Sequence, residues 1–195
     1  MRQRVIGLTG NIATGKSAIM RLAADHGALT IDADRVVHDL LDGDKAIQDA
    51  VAEAFGPEVR RADGRIDRAA LGRLVFGNPA ALRRLEGLLH PATRAEIVRR
   101  VTTADAPVVM IEAIKLLEGP LAAVCDQVWV TTCARATQLE RLRVCRGLDA
   151  AAAVARVDAQ SPQEEKIARA DVVIDTDGPL SATEEQFMAA WGALE

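Results

Sequence analysis

Gly10-Asn11-Ile12-Ala13-Thr14-Gly15-Lys16-Ser17 is the stretch that decides the fold, because it satisfies the pattern G-x-x-x-x-G-K-[ST]. An apolar run at residues 4–9 precedes it, and a segment of helical periodicity follows it and ends at Gly27. Such a strand, loop and helix point successive backbone N–H groups inward and place the positive end of a helix dipole at the loop. We therefore predict that these eight residues bind the phosphates of a nucleotide. An accidental match within a glycine-rich turn is the alternative, and both flanks disfavour it.

Two side chains of this loop have distinct predicted roles. The Lys16 ammonium is expected to meet the β- and γ-phosphates and to stabilise charge during their transfer, which makes it a catalytic candidate. The Ser17 hydroxyl is expected to be a ligand of magnesium. The pattern thus predicts a nucleotide with β- and γ-phosphates and Mg²⁺ as the ligands, and ATP follows from the family resemblance described below.

Four further apolar, β-branched runs predict the rest of a sheet. They lie at residues 28–31, 107–111, 127–131 and 171–174. Because helical stretches separate them, we predict an α/β fold of the P-loop NTPase type, with a five-stranded parallel sheet flanked by helices. The long intervals between strands predict two helical insertions in a single domain. The predicted core is about residues 1–40, 104–133 and 168–195, the first insertion about 41–103, and the second, a lid, about 134–167.

Composition narrows the functional classes. With 49% hydrophobic and 27% charged residues, the 195-residue chain is typical of a globular protein. Its net charge of −4 disfavours general nucleic-acid binding. We also expect no membrane association and a cytoplasmic location, because no signal-peptide core and no long apolar span are present. The spacing of Cys125, Cys133 and Cys145 predicts reduced thiols rather than a disulfide or zinc site.

Acidic residues follow two of the predicted strands. Asp32 and Asp34 come directly after the second strand, and Glu112 ends the third. In open parallel sheets the ligand crevice lies at the carboxyl ends of the strands. One of the two aspartates is therefore predicted to accept a hydroxyl proton while the other holds the loop or a magnesium water, and Glu112 is predicted to hold magnesium. A helix cap at Asp32 or Asp34, and a solvated charge at Glu112, are the alternatives.

The predicted lid and the first insertion supply basic candidates. Four arginines cluster in the lid, namely Arg135, Arg141, Arg143 and Arg146. Kinases need cations that close over the transferring phosphoryl group, although helix-surface arginines are often only solvated. His90-Pro91 is predicted to begin a helix, where the histidine could cap the helix, reach a substrate phosphate or serve structure alone.

Four of the five Trp and Phe side chains are interpreted as core, namely Trp129, Phe55, Phe76 and Phe187.

Several motifs, in one order along nearly the whole chain, resemble those of the dephospho-CoA kinase family. They are residues 8–17, Ile31-Asp32-Ala33-Asp34, residues 63–68, Leu85-Glu86 with His90-Pro91, Gln138 with Arg141-Leu142, Ala159-Gln160, Lys166, Ala170-Asp171 and Val173-Ile174. The aspartate motif and the His-Pro pair are more particular to that family than the phosphate loop is.

The resemblance implies a fold of the nucleoside-monophosphate-kinase type and an ATP-dependent transferase. The reaction would move the ATP γ-phosphoryl group to the ribose 3′-hydroxyl of dephospho-CoA, the last step of coenzyme A synthesis. By resemblance, Asp34 is the base or orienting group. Thr9, Asp32 and His90 would help to place the substrate, Arg141 would contact phosphates from the lid, and Thr176 would lie near the adenine.

The sequence departs from the family pattern at several positions. Asn11 and Ala13 replace loop glycines. The segment 112–118 lacks the family's Pro and Phe and gains Lys115. Cys145 stands where a lid arginine is usual, and either Arg143 or Arg146 is expected to replace it. Thr176 stands where an Asn is typical.

Two other functions compete with this hypothesis. One is a P-loop kinase for another small molecule, and the other is a nucleotide-dependent switch or a kinase fold without activity. A guanine-reading Asn-Lys-x-Asp motif is missing, whereas Lys16 and Ser17 are both retained, which disfavours the second. The expected partner is a small-molecule substrate, and no obligate protein partner is indicated.

Overall fold

A computed structural model describes residues 2–194 of the chain. These residues form two compact units. One is the helical unit Asp32–Thr103, and the other, the sheet unit, comprises the described residues on either side of it.

Five strands form a single sheet with the order β2-β3-β1-β4-β5. They are β1 Arg4–Thr9, β2 Leu29–Asp32, β3 Val108–Glu112, β4 Gln127–Thr132 and β5 Val172–Asp175. β1 pairs in parallel with β3 and β4, and β4 pairs in parallel with β5. The register places Leu8 opposite Glu112 on one side and Trp129 on the other. The predicted five-stranded parallel sheet is confirmed.

Nine α-helices are assigned within residues 2–194. They are α1 Lys16–Asp25, α2 Ala33–Gly43, α3 Lys45–Phe55, α4 Arg68–Val75, α5 Pro79–Thr103, α6 Arg135–Arg146, α7 Ala150–Asp158, α8 Gln163–Ile167 and α9 Leu180–Gly192. Short 3₁₀ turns lie at Pro57–Val59, Leu116–Glu118 and Pro120–Val124. None of the helices in the described part of the chain has the length and apolar character needed to span a membrane.

The core of the sheet unit lies between the sheet and its helices. Alternate β1 residues Ile6 and Leu8 are fully buried together with Ile19 of α1 and Phe187 of α9. The Phe187 ring meets the Trp129 ring edge-on, with 5.9 Å between the centroids. Burial of this apolar surface fixes β1, and with it the loop that β1 leads into.

The helical unit has a core of its own. Its buried residues are Leu41, Val51, Val59, Ile66, Leu71, Leu85 and Leu89. They come from α2 to α5 and from the turn between α3 and α4. The unit therefore has a hydrophobic core separate from that of the sheet.

The helix expected to begin at His90-Pro91 does not begin there. α5 is continuous, and Pro91 lies inside it. An interior proline removes a hydrogen bond and costs about 3 kcal/mol. Buried residues recur every four positions on both sides of Pro91, at Leu85, Leu89, Thr93, Ile97 and Val101. Packing along this stripe outweighs the local preference of proline for a first turn.

The core interpretation is wrong for Phe76. Trp129 and Phe187 are fully buried and Phe55 is half-buried, but Phe76 is 91% exposed. Phe76 follows the last residue of α4, and the next residue, Gly77, has a φ of 79°. The chain turns here beyond the helix, so the ring lies outside the helical face that packs inward.

In the C-terminal half of α5, Glu96 forms ion pairs with two arginines of the same helix. The Glu96 carboxylate accepts hydrogen bonds from Arg99 at 2.7 Å and from Arg100 at 2.9 Å. Arg100 also donates to Asp39 of α2 at 3.0 Å, which links the two helices. Hydrogen bonds from Arg99 and Arg100 lower the pKa of Glu96 to about 2, from an ordinary value of 4.5.

We predict that Glu96→Gln destabilises the protein at neutral pH by about 0.5 to 1 kcal/mol, since one partner arginine is largely exposed and solvent screens the pair. The folded-state pKa lies below the ordinary value, so the stabilisation is complete above about pH 4.5 and is lost as the pH falls toward 2. Urea unfolding at several pH values measures this, with Glu53→Gln, an exposed residue of α3, as the matched control. A difference from wild type that stays constant between pH 7 and pH 2.5 would contradict the assignment.

Candidate active site

β1 leads directly into the predicted phosphate loop, which curls tightly against β4. Gly10 has a φ of 150°, Ala13 of 61° and Gly15 of 87°. A Cβ atom at Gly10 would lie 2.5 Å from the Thr131 hydroxyl oxygen and 2.6 Å from the Thr131 carbonyl oxygen. Any side chain at position 10 would therefore displace the loop from the sheet.

The Lys16 side chain folds back across the loop. It is only 7% exposed, and its ammonium donates to the carbonyl oxygens of Gly10 at 2.9 Å and Asn11 at 3.1 Å. Lys16 is also the first residue of α1, whose N-terminal N–H groups face the loop. A cation and a helix N-terminus are thus placed together, as binding of a polyanion requires.

Three threonines support the loop. The Thr14 hydroxyl lies 2.8 Å from the Asn11 carbonyl oxygen and 2.8 Å from the Thr131 hydroxyl. The Thr176 hydroxyl donates to the Thr14 carbonyl at 3.0 Å, and a Cβ at Gly15 would lie 3.1 Å from the Thr176 side chain. All three threonines are buried, so these bonds hold the curled backbone with little competition from water.

α6 docks on the loop through Arg141 and Gln138. The Arg141 guanidinium donates to the Ala13 carbonyl at 3.1 Å, to the Thr176 hydroxyl at 3.0 Å and to the Thr176 carbonyl. The Gln138 amide donates to the Ile12 carbonyl at 3.0 Å. Arg141 and Thr176, two predicted site residues, are therefore brought together at the loop. Arg143 and Arg146, the two candidates to replace the arginine at Cys145, are both exposed on α6.

The segment 160–166, between α7 and the end of α8, also holds the loop. The Ile12 N–H donates to the Gln160 side-chain oxygen at 2.6 Å, and the Asn11 N–H donates to that of Gln163 at 3.1 Å. Gln163 in turn donates to the Thr131 carbonyl at 2.8 Å, and Lys166 donates to the Asn11 side-chain oxygen at 2.7 Å. Sequence reasoning gave these residues no role at the loop. Their polar side chains within the predicted lid were the available signal.

The remaining predicted residues of the sheet unit lie in the first turn of α1 and at the ends of strands. Ser17 is exposed in the first turn of α1, and Glu112 is half-buried at the end of β3. Thr9, predicted to place substrate, is fully buried, and its hydroxyl donates to the Ile114 carbonyl at 3.1 Å. Within residues 2–194, no three His, Cys, Asp or Glu side chains are grouped as a metal cluster.

Three predicted substrate residues lie at the start of the helical unit or within it. The Asp32 carboxylate accepts the N–H groups of Asp34 at 2.9 Å and Arg35 at 3.1 Å, so Asp32 caps α2. The capping alternative is therefore observed for Asp32. Asp34 is exposed in the first turn of α2, and His90 is exposed on α5.

The segment 112–118, where the sequence departs from the family pattern, contributes to a cavity of about 410 Å³. The lining residues are Ile114, Leu117, Glu118, Ser161, Glu165, Lys166, Ala168 and Arg169. Arg169 donates to the Leu117 carbonyl at 2.7 Å and so joins the two sides. The cavity combines apolar side chains with charges of both signs.

Two of the three cysteines have thiols with a raised pKa. Burial raises the pKa of the Cys125 thiol to about 12, and burial also raises the pKa of the Cys133 thiol, which lies 3.8 Å from the Ala13 carbonyl oxygen. Cys145 is exposed. Thiols with raised pKa values stay protonated at neutral pH, so neither of these two buried thiols has the low pKa of a reactive cysteine.

Comparison with known proteins adds the identity of the family. The family model described as dephospho-CoA kinase matches residues 4–182. The chain belongs to the dephospho-CoA kinase family. A dephospho-CoA kinase of Symbiobacterium thermophilum is 42% identical over 193 residues, which cover 97% of this chain and 81% of that protein. The resemblance predicted from the motifs is thereby confirmed, as is the assignment to ATP-dependent kinases.

Solved structures agree with this membership of the dephospho-CoA kinase family. The crystal structure of TT1252 from Thermus thermophilus superposes with a TM-score of 0.85 at 30% identity, and each chain is covered completely. A dephospho-CoA kinase from Campylobacter jejuni superposes with a TM-score of 0.66 at 25% identity, over 99% of this chain and 98% of that one. The predicted P-loop kinase fold is confirmed.

Proposed function

We propose that this chain transfers the γ-phosphoryl group of ATP to the ribose 3′-hydroxyl of dephospho-CoA and so forms coenzyme A. The observation that carries the proposal is a complete phosphate loop, with Lys16 in place, in a chain that matches the dephospho-CoA kinase family from residue 4 to 182. In the reaction the 3′-oxygen forms a bond to the γ-phosphorus, the bond to the β-phosphate oxygen breaks, and ADP leaves.

The phosphate loop would bind ATP through its backbone and Lys16. The loop residues 10–17 surround the position of the triphosphate in the proposed complex, and the Lys16 ammonium would exchange its bonds to the Gly10 and Asn11 carbonyls for phosphate oxygens. Thr176 would lie at the adenine side. Arg141 would support the loop from α6 and present its charge to the phosphates.

Magnesium would be held by oxygen groups, which it prefers. The Ser17 hydroxyl is exposed directly after Lys16, and the Glu112 carboxylate ends the strand that neighbours β1. The Ser17 hydroxyl would be a direct ligand of the metal, and the Glu112 carboxylate would bind the water molecules around it. When bound, the ion would neutralise negative charge on the phosphoryl group during its transfer.

The acceptor would be oriented by residues of the helical unit. Asp34 is proposed to receive the proton of the 3′-hydroxyl, and its exposed position leaves the carboxylate accessible to an alcohol. His90, exposed on α5, is proposed to contact the acceptor. Asp32 fixes the first turn of α2 and so the backbone that carries Asp34, while Thr9 supports the end of β1.

A magnesium-dependent ADP-release assay tests the acceptor. We expect dephospho-CoA to exceed AMP and other hydroxyl acceptors in kcat/KM by about a hundredfold or more, because a site built for one acceptor loses binding energy with others. Coenzyme A is the matched control, since its 3′-hydroxyl is already phosphorylated and it should release no ADP. Equal rates with AMP, or turnover of another hydroxyl compound but not of dephospho-CoA, would favour a kinase for a different small molecule.

Asp34→Asn tests the proposed base. Turnover should fall about a hundredfold or more, the usual contribution of a positioned acid or base, while ATP affinity stays near that of wild type. Steady-state kinetics and titration calorimetry measure the two quantities. Asp42→Asn, also exposed on α2, is the control and should leave both unchanged. Lost ATP affinity with retained turnover would assign Asp34 to nucleotide or metal binding instead.

A further inference from the structure

Two of the four lysines of the chain meet at one residue of the phosphate loop. The Lys16 ammonium donates to the Asn11 backbone carbonyl at 3.1 Å, and the Lys166 ammonium donates to the Asn11 side-chain oxygen at 2.7 Å. Lys166 comes from α8, 150 residues further along the chain than Lys16. Asn11 is also one of the positions where this chain replaces a glycine usual in the family, and glycine has no side chain to offer Lys166.

Lys166 is unusual because it is buried next to an anion-binding loop and its partners are neutral. It is only 6% exposed, and its ammonium donates to the Asn11 side chain and, at 2.9 Å, to the Ser161 hydroxyl. A buried cation is costly when its partners are uncharged oxygens. Binding of a polyanion close by offsets this cost, because a positive charge that attracts the polyanion is then already in place.

Asn11 connects Lys166 to the backbone of the phosphate loop. Its side-chain amide donates to the Ser161 carbonyl at 3.1 Å, and its backbone carbonyl accepts from both the Thr14 hydroxyl and Lys16. Because the oxygen and the nitrogen of this amide are both hydrogen-bonded, the side chain is held in place, and so is the backbone to which it is attached. Lys166 therefore constrains the residue against which the Lys16 ammonium rests.

We propose that Lys166 is a positioning residue of the nucleotide site, which acts through the Asn11 side chain to set the first turn of the phosphate loop and adds positive potential beside it. The inference deepens the proposed function, because it concerns the ATP side of the same site. It does not depend on the identity of the acceptor, since nucleotide binding can be measured alone.

Titration calorimetry with ADP and Mg²⁺ tests the proposal on four variants. Lys166→Met and Asn11→Ala should each weaken ADP binding by about tenfold, the scale of one charge-assisted hydrogen bond. The double variant should be no weaker than Lys166→Met, because once Lys166 is replaced the contact that Asn11→Ala removes is already lost. Lys166→Arg, which keeps the charge, should retain most of the affinity. Lys45→Met, an exposed lysine of α3, is the control and should bind ADP as wild type does.

The outcomes separate a positioning role from a general structural one. Unchanged ADP affinity in Lys166→Met, or losses that add in the double variant, would overturn the proposal. Thermal unfolding accompanies each titration, and a loss of affinity that appears only in variants with a lowered Tm would also overturn it. If Lys166→Met does not fold, Asn11→Ala decides, because it breaks the contact from the loop side and leaves Lys166 in place. A wild-type chain that binds ADP but ignores dephospho-CoA would overturn the proposed acceptor alone.

Discussion

The close approach of the phosphate loop to the end of β4 is the constraint on which the rest of the site depends. At Gly10 no room exists for a Cβ atom between the loop and Thr131, so the backbone lies directly against the sheet. The burial of β1 between its neighbours fixes the start of the loop, and α1 fixes its end. Between these two anchors the backbone is forced to curl, and a curled backbone with inward N–H groups binds anions.

Side chains from distant segments complete this arrangement. Arg141 and Gln138 hold carbonyl oxygens of the loop, Gln160 and Gln163 hold its N–H groups, and Thr176 fills the space beside Gly15. Every one of these residues follows β4 in the chain. The loop is therefore a short sequence motif whose conformation depends on the fold of the entire sheet unit. Membership of the dephospho-CoA kinase family over residues 4–182 is consistent with that dependence, because the match extends far beyond the motif.

The sequence was sufficient to predict the strands, the first helix and the phosphate loop, because each has a local signal. Apolar runs gave the five strands to within one residue at each end, and the glycines with Lys16 and Ser17 gave the loop. The exposure of Phe76 and the passage of α5 through Pro91 were predicted wrongly, since tertiary packing decides both. The contacts of Gln160, Gln163 and Lys166 were missed for a related reason. Nothing in their local sequence indicates which atoms of the loop, about 150 residues away, they contact.

We propose that Lys16 and the loop around it stabilise the phosphoryl group that is transferred to dephospho-CoA. The direct test is the turnover number of the Lys16→Ala variant at saturating ATP, Mg²⁺ and dephospho-CoA. Lys45→Ala, which removes an exposed lysine, is the matched control. We expect turnover to fall about a hundredfold or more for Lys16→Ala and to stay at the wild-type level for the control. Near-normal turnover of a folded Lys16→Ala variant would contradict it.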